Sequence, residues 1–247
     1  MLLSTFWTVV LAASLTAAAT GLGAIPFFFV RKLNVFWVSV ANAAAGGLMF
    51  AATHSLVAEG ATISPARLVI GMLIGLAGIL AGSRYIVRRK HAKIENLAQL
   101  DARKALLFVA VMTAHSFAEG VGVGVSFGGS AELATFITAA IAVHNIPEGL
   151  AVCLVLVPRG MPVWRAALWS IFTSLPQPLM AVPSYAAVTA FETFLPVGFG
   201  IAAGAMIWMV FAELIPDAHK NASSSVVGIT VTLAFALMIA FQYLVLR

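Results

Sequence analysis

Two short segments of the sequence carry the residues best suited to chemistry: His115-Ser116-Phe117-Ala118-Glu119-Gly120 and His144-Asn145-Ile146-Pro147-Glu148-Gly149. In each, a histidine and a glutamate stand four residues apart, which on a helix places both side chains on one face. Two imidazoles and two carboxylates together make a full ligand set for a four-coordinate divalent metal ion. The mixed nitrogen and oxygen donors suit Zn²⁺ first and leave Fe²⁺, Mn²⁺, Co²⁺ and Cd²⁺ open. Neutral imidazole and ionised carboxylate are the binding forms, so proton release can accompany binding.

The elements that must position these residues are membrane spans. Hydrophobic residues make up 62% of the 247-residue chain and charged residues only 9%, with a mean hydropathy of +1.03. Soluble domains carry about 25% charged residues. The apolar runs are long enough to cross a hydrocarbon core, which takes about 20 residues, and lipid leaves helices or closed barrels as the possible spanning structures. The short alternating pattern of barrel strands is absent. The prediction is therefore an all-α polytopic membrane protein, a single transmembrane domain over 1–247. Its eight spans run roughly over 4–30, 35–57, 66–87, 104–127, 132–157, 162–189, 194–216 and 223–245. The two His/Glu segments fall near the middle of the fourth and fifth spans. These are consecutive and so antiparallel, and their polar faces can meet at one depth.

Charge sets the orientation. Arg31, Lys32, Arg84, Arg88, Arg89, Lys90, Lys93, Arg103, Lys104, Arg159, Arg165 and Lys220 fall on one side of this arrangement, and Arg67 and Arg247 on the other. The positive-inside rule makes the first side cytoplasmic and leaves both termini outside, with the plasma or inner membrane as the expected location. The basic segment 88–104, which includes His91 and Glu95, is expected to be a cytoplasmic loop in contact with anionic lipid. Met1 to Thr20 resembles a signal peptide but lacks a basic leading region, and its apolar character continues to Val30, so a retained first helix is expected. The single cysteine, Cys153, permits no intrachain disulfide and reads as a packing residue. The net charge of +5 lies between spans and does not point to nucleic acid. Pro147, Pro176, Pro178 and Pro183 sit inside predicted spans, where each removes a backbone donor.

Ionisable groups inside a span are costly, at roughly 2.5–3.5 kcal/mol each for a mid-helix charge on insertion scales. Two matched His/Glu pairs at one depth are hard to explain as packing. A proton relay would use the same residue types. An intramembrane metal-dependent hydrolase would need an open coordination position and a general base, yet the His-Glu-x-x-His arrangement is absent and no serine has an evident His/Asp partner. No lysine lies deep in a predicted span to anchor a retinal. Transport of the metal ion is the leading reading and the chain is not expected to be an enzyme; any metal is substrate and not cofactor.

At these residues the sequence resembles the ZIP (Zrt-, Irt-like protein) family of divalent-metal transporters, and the resemblance covers essentially the whole chain. His144 to Gly149 matches the family's His-Asn-x-Pro-Glu-Gly motif in full; His115 to Gly120 departs from it at Ser116 and Ala118. The resemblance implies an inverted repeat relating helices one to three to helices six to eight, around central helices four and five. A faint trace is Leu56-Val57-Ala58-Glu59-Gly60 against Leu214-Ile215-Pro216-Asp217-Ala218. It further implies import toward the cytoplasm, a homodimer, and a two-metal centre. The first site would be His115, Glu119, His144 and Glu148. The second would share the two glutamates and add Ser116, Asn145 and a residue of helix six. Many bacterial members have Glu-Pro at that place, where this chain has Gln177-Pro178, so the second site should be weakened. His54 and Glu59 would lie near the outer end of span two as entrance residues, and Glu213, Asp217 and His219 near the inner end of span seven as exit residues.

Overall fold

In the computed structural model, which describes residues 2–30, 34–88 and 97–245, all regular structure among the described residues is helical. Helix α1 (Leu2–Thr20) tightens into a 3₁₀ turn (Gly21–Ala24) and the single turn α2 (Pro26–Phe29). Then come α3 (Val35–Ile63), α4 (Pro65–Arg88), α5 (Leu97–Ser126) and α6 (Ala131–Leu156). They are followed by α7 (Val163–Ser174), α8 (Pro176–Ala190), α9 (Leu195–Met209), a π-helical turn (Val210–Leu214), α10 (Ile215–Ala218) and α11 (Ser224–Val245).

Grouped end to end, these elements follow the eight predicted spans, with differences that have physical causes. Span six is two helices, because Pro176 and Pro178 interrupt the donor pattern after Leu175. Neither α7, at 12 residues, nor α8, at 15, reaches across alone. Among the described residues six helical stretches are long and apolar enough to cross a membrane by themselves. Span two runs on to Ile63, and α5 begins at Leu97, inside the segment 88–104 read as loop. The rest of that segment, with Arg89, Lys90, His91, Lys93 and Glu95, lies outside the described residues, as do Arg31 and Lys32. Local chemistry fixes several starts: Asn34 Oδ1 accepts from the Phe36 amide at 2.9 Å, and Ser130 Oγ from the Leu133 amide at 3.1 Å.

Packing follows the inverted repeat. Exchange α1 with α7–α8, α3 with α9, α4 with α11, and α5 with α6, and the closest neighbour pairs map onto one another or onto themselves. The pair α3–α11 becomes α9–α4, α1–α6 becomes α8–α5, and α3–α6 becomes α9–α5. The most buried large side chains, among them Leu56, Phe136, Ile137, Ile141, Phe199, Met206 and Met209, join α3, α6 and α9 into one core. Large apolar residues such as Trp7, Leu15, Leu73, Leu179, Leu233 and Leu237 face outward. On a membrane protein that is the lipid side, where burial gives no driving force and close backbone packing takes over. The α4–α9 seam shows it: a Cβ on Gly71 or Gly75 would strike the carbonyls of Val197 or Ile201.

Candidate metal centre

Residues one turn apart on α5, His115 and Glu119, face residues one turn apart on α6, His144 and Glu148. All four are at most 3% exposed. The short contacts run across the helix pair: His115 Nε2 is 2.8 Å from Glu148 Oε1, and His144 Nε2 is 2.7 Å from Glu119 Oε1. Within each helix the separations are longer, 3.6 Å for His115–Glu119 and 3.3 Å for His144–Glu148. One donor atom from each residue falls within 4.8 Å of all the others. Tetrahedral bonds of roughly 2.0–2.1 Å imply ligand–ligand edges of about 3.3 Å, so small side-chain adjustments suffice to close around an ion.

The same atoms are otherwise unsatisfied. Among the described residues both nitrogens of His115 and His144, and Oε1 of Glu119 and Glu148, are buried without a hydrogen-bond partner. A proton on each imidazole can join it to the facing carboxylate at these distances, and a metal ion can take that proton's place, since neutral imidazole and ionised carboxylate both offer lone pairs to a cation. No lysine or arginine meets the two buried carboxylates among the described contacts, so their charge, costly to bury uncompensated, is left to protons on the two imidazoles or to a cation. One divalent cation in exchange for those protons would leave the charge balanced and use all four donor atoms.

Glycines following each glutamate let other helices approach. A Cβ on Gly149 would be driven into the Thr20 carbonyl at the end of α1, and one on Gly120 into the backbone of Gln177 at the start of α8. Around this contact lies a buried polar cluster. Gln177 Nε2 donates to Glu119 Oε2 at 2.6 Å, and Thr16 Oγ1 donates to Gln177 Oε1 at 2.6 Å. Asn145 Nδ2 donates to the Thr16 carbonyl at 2.7 Å and to Gln177 Oε1 at 3.2 Å. Ser116 instead turns its hydroxyl back to the Met112 carbonyl, 3.3 Å away. Thr20 and Ser174 hydroxyls lie 2.7 Å apart just beyond. Sequence reasoning did not single out Thr16, Thr20 or Ser174. Hydroxyls in a helix are common, and no spacing rule links residues more than 150 positions apart.

Of the five residues read as pathway positions, Glu213 alone reaches the centre among the described contacts. Its Oε2 is 3.6 Å from His115 Nδ1, and its side chain is 27% exposed. It stands in the π-helical turn, just ahead of Pro216. Such turns are rare and recur at functional sites. His54 is exposed with its ring edge-on to Phe235, and Glu59 is half-buried one turn further along α3. Asp217 pairs with Lys220 at 2.5 Å, and His219 is exposed beside them.

Comparison with known proteins agrees with this chemistry. A family model described as ZIP zinc transporter matches residues 83–242. A candidate zinc transporter of Arabidopsis thaliana is 47% identical over 246 residues, covering 96% of this chain but only 39% of its own length. Zinc transporter ZIPB of Bordetella bronchiseptica is 33% identical over 234 residues, covering 90% of this chain and 76% of its own. Zinc transporter GufA of Myxococcus xanthus is 34% identical over 118 residues, covering 47% of this chain and 46% of its own.

Proposed function

Because the chain belongs to the ZIP zinc transporter family, we propose that it moves a divalent metal ion through the membrane, holding it in transit at His115, Glu119, His144 and Glu148. Zn²⁺ is the first choice of cargo, ahead of Fe²⁺, Mn²⁺, Co²⁺ and Cd²⁺, because two imidazoles and two carboxylates suit a borderline ion in tetrahedral geometry. The observation that carries the reading is the convergence of four buried donor atoms, all within 4.8 Å and paired with one another across the two helices.

Direction and placement follow from charge. Exposed Arg159, Arg165 and Lys220 stand at helix ends on the side that the positive-inside rule makes cytoplasmic. Import would then run from the outer end of α3, where His54 and Glu59 could collect ions, through the centre, to Glu213, and past Asp217 and His219. Both termini would face away from the cytoplasm in a plasma or inner membrane. The basic segment 88–104 would lie against anionic lipid, and two copies would associate as a homodimer. A hydrolase is disfavoured because four protein ligands close the coordination shell that catalysis needs open. A proton relay could use the 2.7 and 2.8 Å His–Glu contacts, and it makes a different prediction.

The test is uptake into proteoliposomes carrying a zinc-sensitive or a pH-sensitive dye. Wild type should fill zinc-dye vesicles, and Glu148→Ala should reduce the rate at least about a hundredfold, since a missing ligand costs more than the 10- to 100-fold typical of groups behind the ligands. Proton movement without zinc, competed by no divalent ion, would instead favour the relay.

A further inference from the structure

Glu119 has one oxygen for the cargo and one already engaged. Oε1 faces His144 at 2.7 Å, while Oε2 accepts the Gln177 side-chain amide at 2.6 Å. The amide cannot turn round: reversed, its oxygen would meet the Glu119 carboxylate and its NH₂ would meet the donor Nδ2 of Asn145. Thr16 supplies the remaining restraint, its single hydroxyl hydrogen lying between Gln177 Oε1 at 2.6 Å and the Ala13 carbonyl at 2.8 Å. Thr16, Glu119, Asn145 and Gln177 are all fully buried. Side chains from α1, α5, α6 and α8 thus converge on one neutral amide.

We infer that Gln177 is a positioning residue that limits the centre to one divalent ion per chain, its amide standing where a second cation bridged by Glu119 would have to bind. This rests on the transport reading above and specifies how many ions that site takes. Charge counting supports it independently of the geometry. Two buried carboxylates balance one dication. A second would leave two uncompensated positive charges among fully buried side chains, and Gln177 adds none of the negative charge needed. Glu213 does not supply it, because it approaches the opposite nitrogen of His115, Nδ1, at 3.6 Å. Asn145 keeps one buried acceptor, Oδ1, without a hydrogen-bond partner, but a neutral oxygen adds no charge. Holding Glu119 by Oε2 also keeps Oε1 aimed at the first ion, as partners behind metal ligands commonly do.

The experiment is equilibrium dialysis of the full chain, purified in detergent, against Zn²⁺, with the metal content measured per chain. Mn²⁺-loaded samples examined by electron paramagnetic resonance add a signature that mere destabilisation would not produce, since two adjacent Mn²⁺ ions couple and one does not. Wild type should bind one ion with an uncoupled spectrum. Gln177→Glu should bind two, with coupling. Thr16→Val touches no ligand and should keep one ion but weaken it about 10- to 100-fold, so the idea remains testable if the glutamate variant does not fold. Two ions in wild type, one in a folded Gln177→Glu, or unchanged affinity in Thr16→Val would each overturn the assignment to Gln177 while leaving transport standing. No bound ion in wild type would overturn the transport reading, and this inference with it.

Discussion

At the scale of single residues, the centre is built from acid–base pairs in which a proton and a metal ion compete for the same atoms. The cross-helix distances of 2.7 and 2.8 Å are those of an imidazole and a carboxylate sharing a proton, which a metal ion must displace to bind. Glu213 adds a different quality, a carboxylate near the centre yet partly in contact with solvent. An ion leaving the centre past His115 would come within about 4 Å of this carboxylate, where a pair of unit charges is worth about 4 kcal/mol at an effective dielectric of 20. Discounted for its 27% exposure, that still exceeds the ~1.4 kcal/mol that changes a rate tenfold. Glu213→Gln should therefore slow zinc uptake by at least about tenfold while equilibrium zinc affinity changes much less. Parallel uptake and dialysis measurements check this, and an equal loss in both would make Glu213 a ligand and not a step on the way out. The four candidate ligands were legible in the sequence because ionisable residues in apolar runs stand out at once. Thr16 and the orientation of Gln177 were not, because their meaning depends on partners brought together only by the fold.

At the scale of elements, close helix contact is what aims the ligands. Gly149 lets the end of α1 rest on α6 beside Glu148, and Gly120 lets α8 rest on α5 beside Glu119. In the sequence these glycines read simply as the ends of two motifs; their role appears once the neighbouring backbone is in place. Gly149→Ala should cost about 1–3 kcal/mol by overpacking and lower the thermal unfolding midpoint in detergent. Gly78, on α4, has open space where its Cβ would be, so Gly78→Ala should be neutral or stabilise by up to about 1 kcal/mol through helix propensity. If both substitutions behave alike, backbone contact at Gly149 is not what holds α1 in place. The span pattern was legible from apolar length alone. The break at Leu175–Pro176 was hinted at by its prolines but hidden by an apolar run that continues across it. The π-helical turn at Val210–Leu214 leaves no pattern in composition, because one extra residue per turn changes no residue type.

At the scale of the whole molecule, the inverted arrangement explains why the centre lies where it does. The exchange that maps α4–α9 onto α11–α3 also swaps α5 with α6, so His115 and Glu119 trade places with His144 and Glu148. The two cross-helix contacts are nearly equal for that reason. An ion held there would touch corresponding residues of the two central helices that the repeat exchanges, which suits a site that must be reached from either side in turn. The departures from symmetry, Ser116 against Asn145, Phe117 against Ile146 and Ala118 against Pro147, fall between the histidine and glutamate of each segment and not on those residues themselves. Everything proposed about passage rests on one chemical claim, that this shared centre is what grips the cargo. X-ray absorption at the zinc edge, on the full chain loaded with one equivalent of Zn²⁺, tests it most directly. Zinc held by these four residues should show about four nitrogen or oxygen neighbours at roughly 2.0–2.1 Å with the outer-shell signature of two imidazoles, lost in His144→Ala. A sulfur neighbour, or a shell of six oxygens without imidazole, would place the ion elsewhere and contradict it.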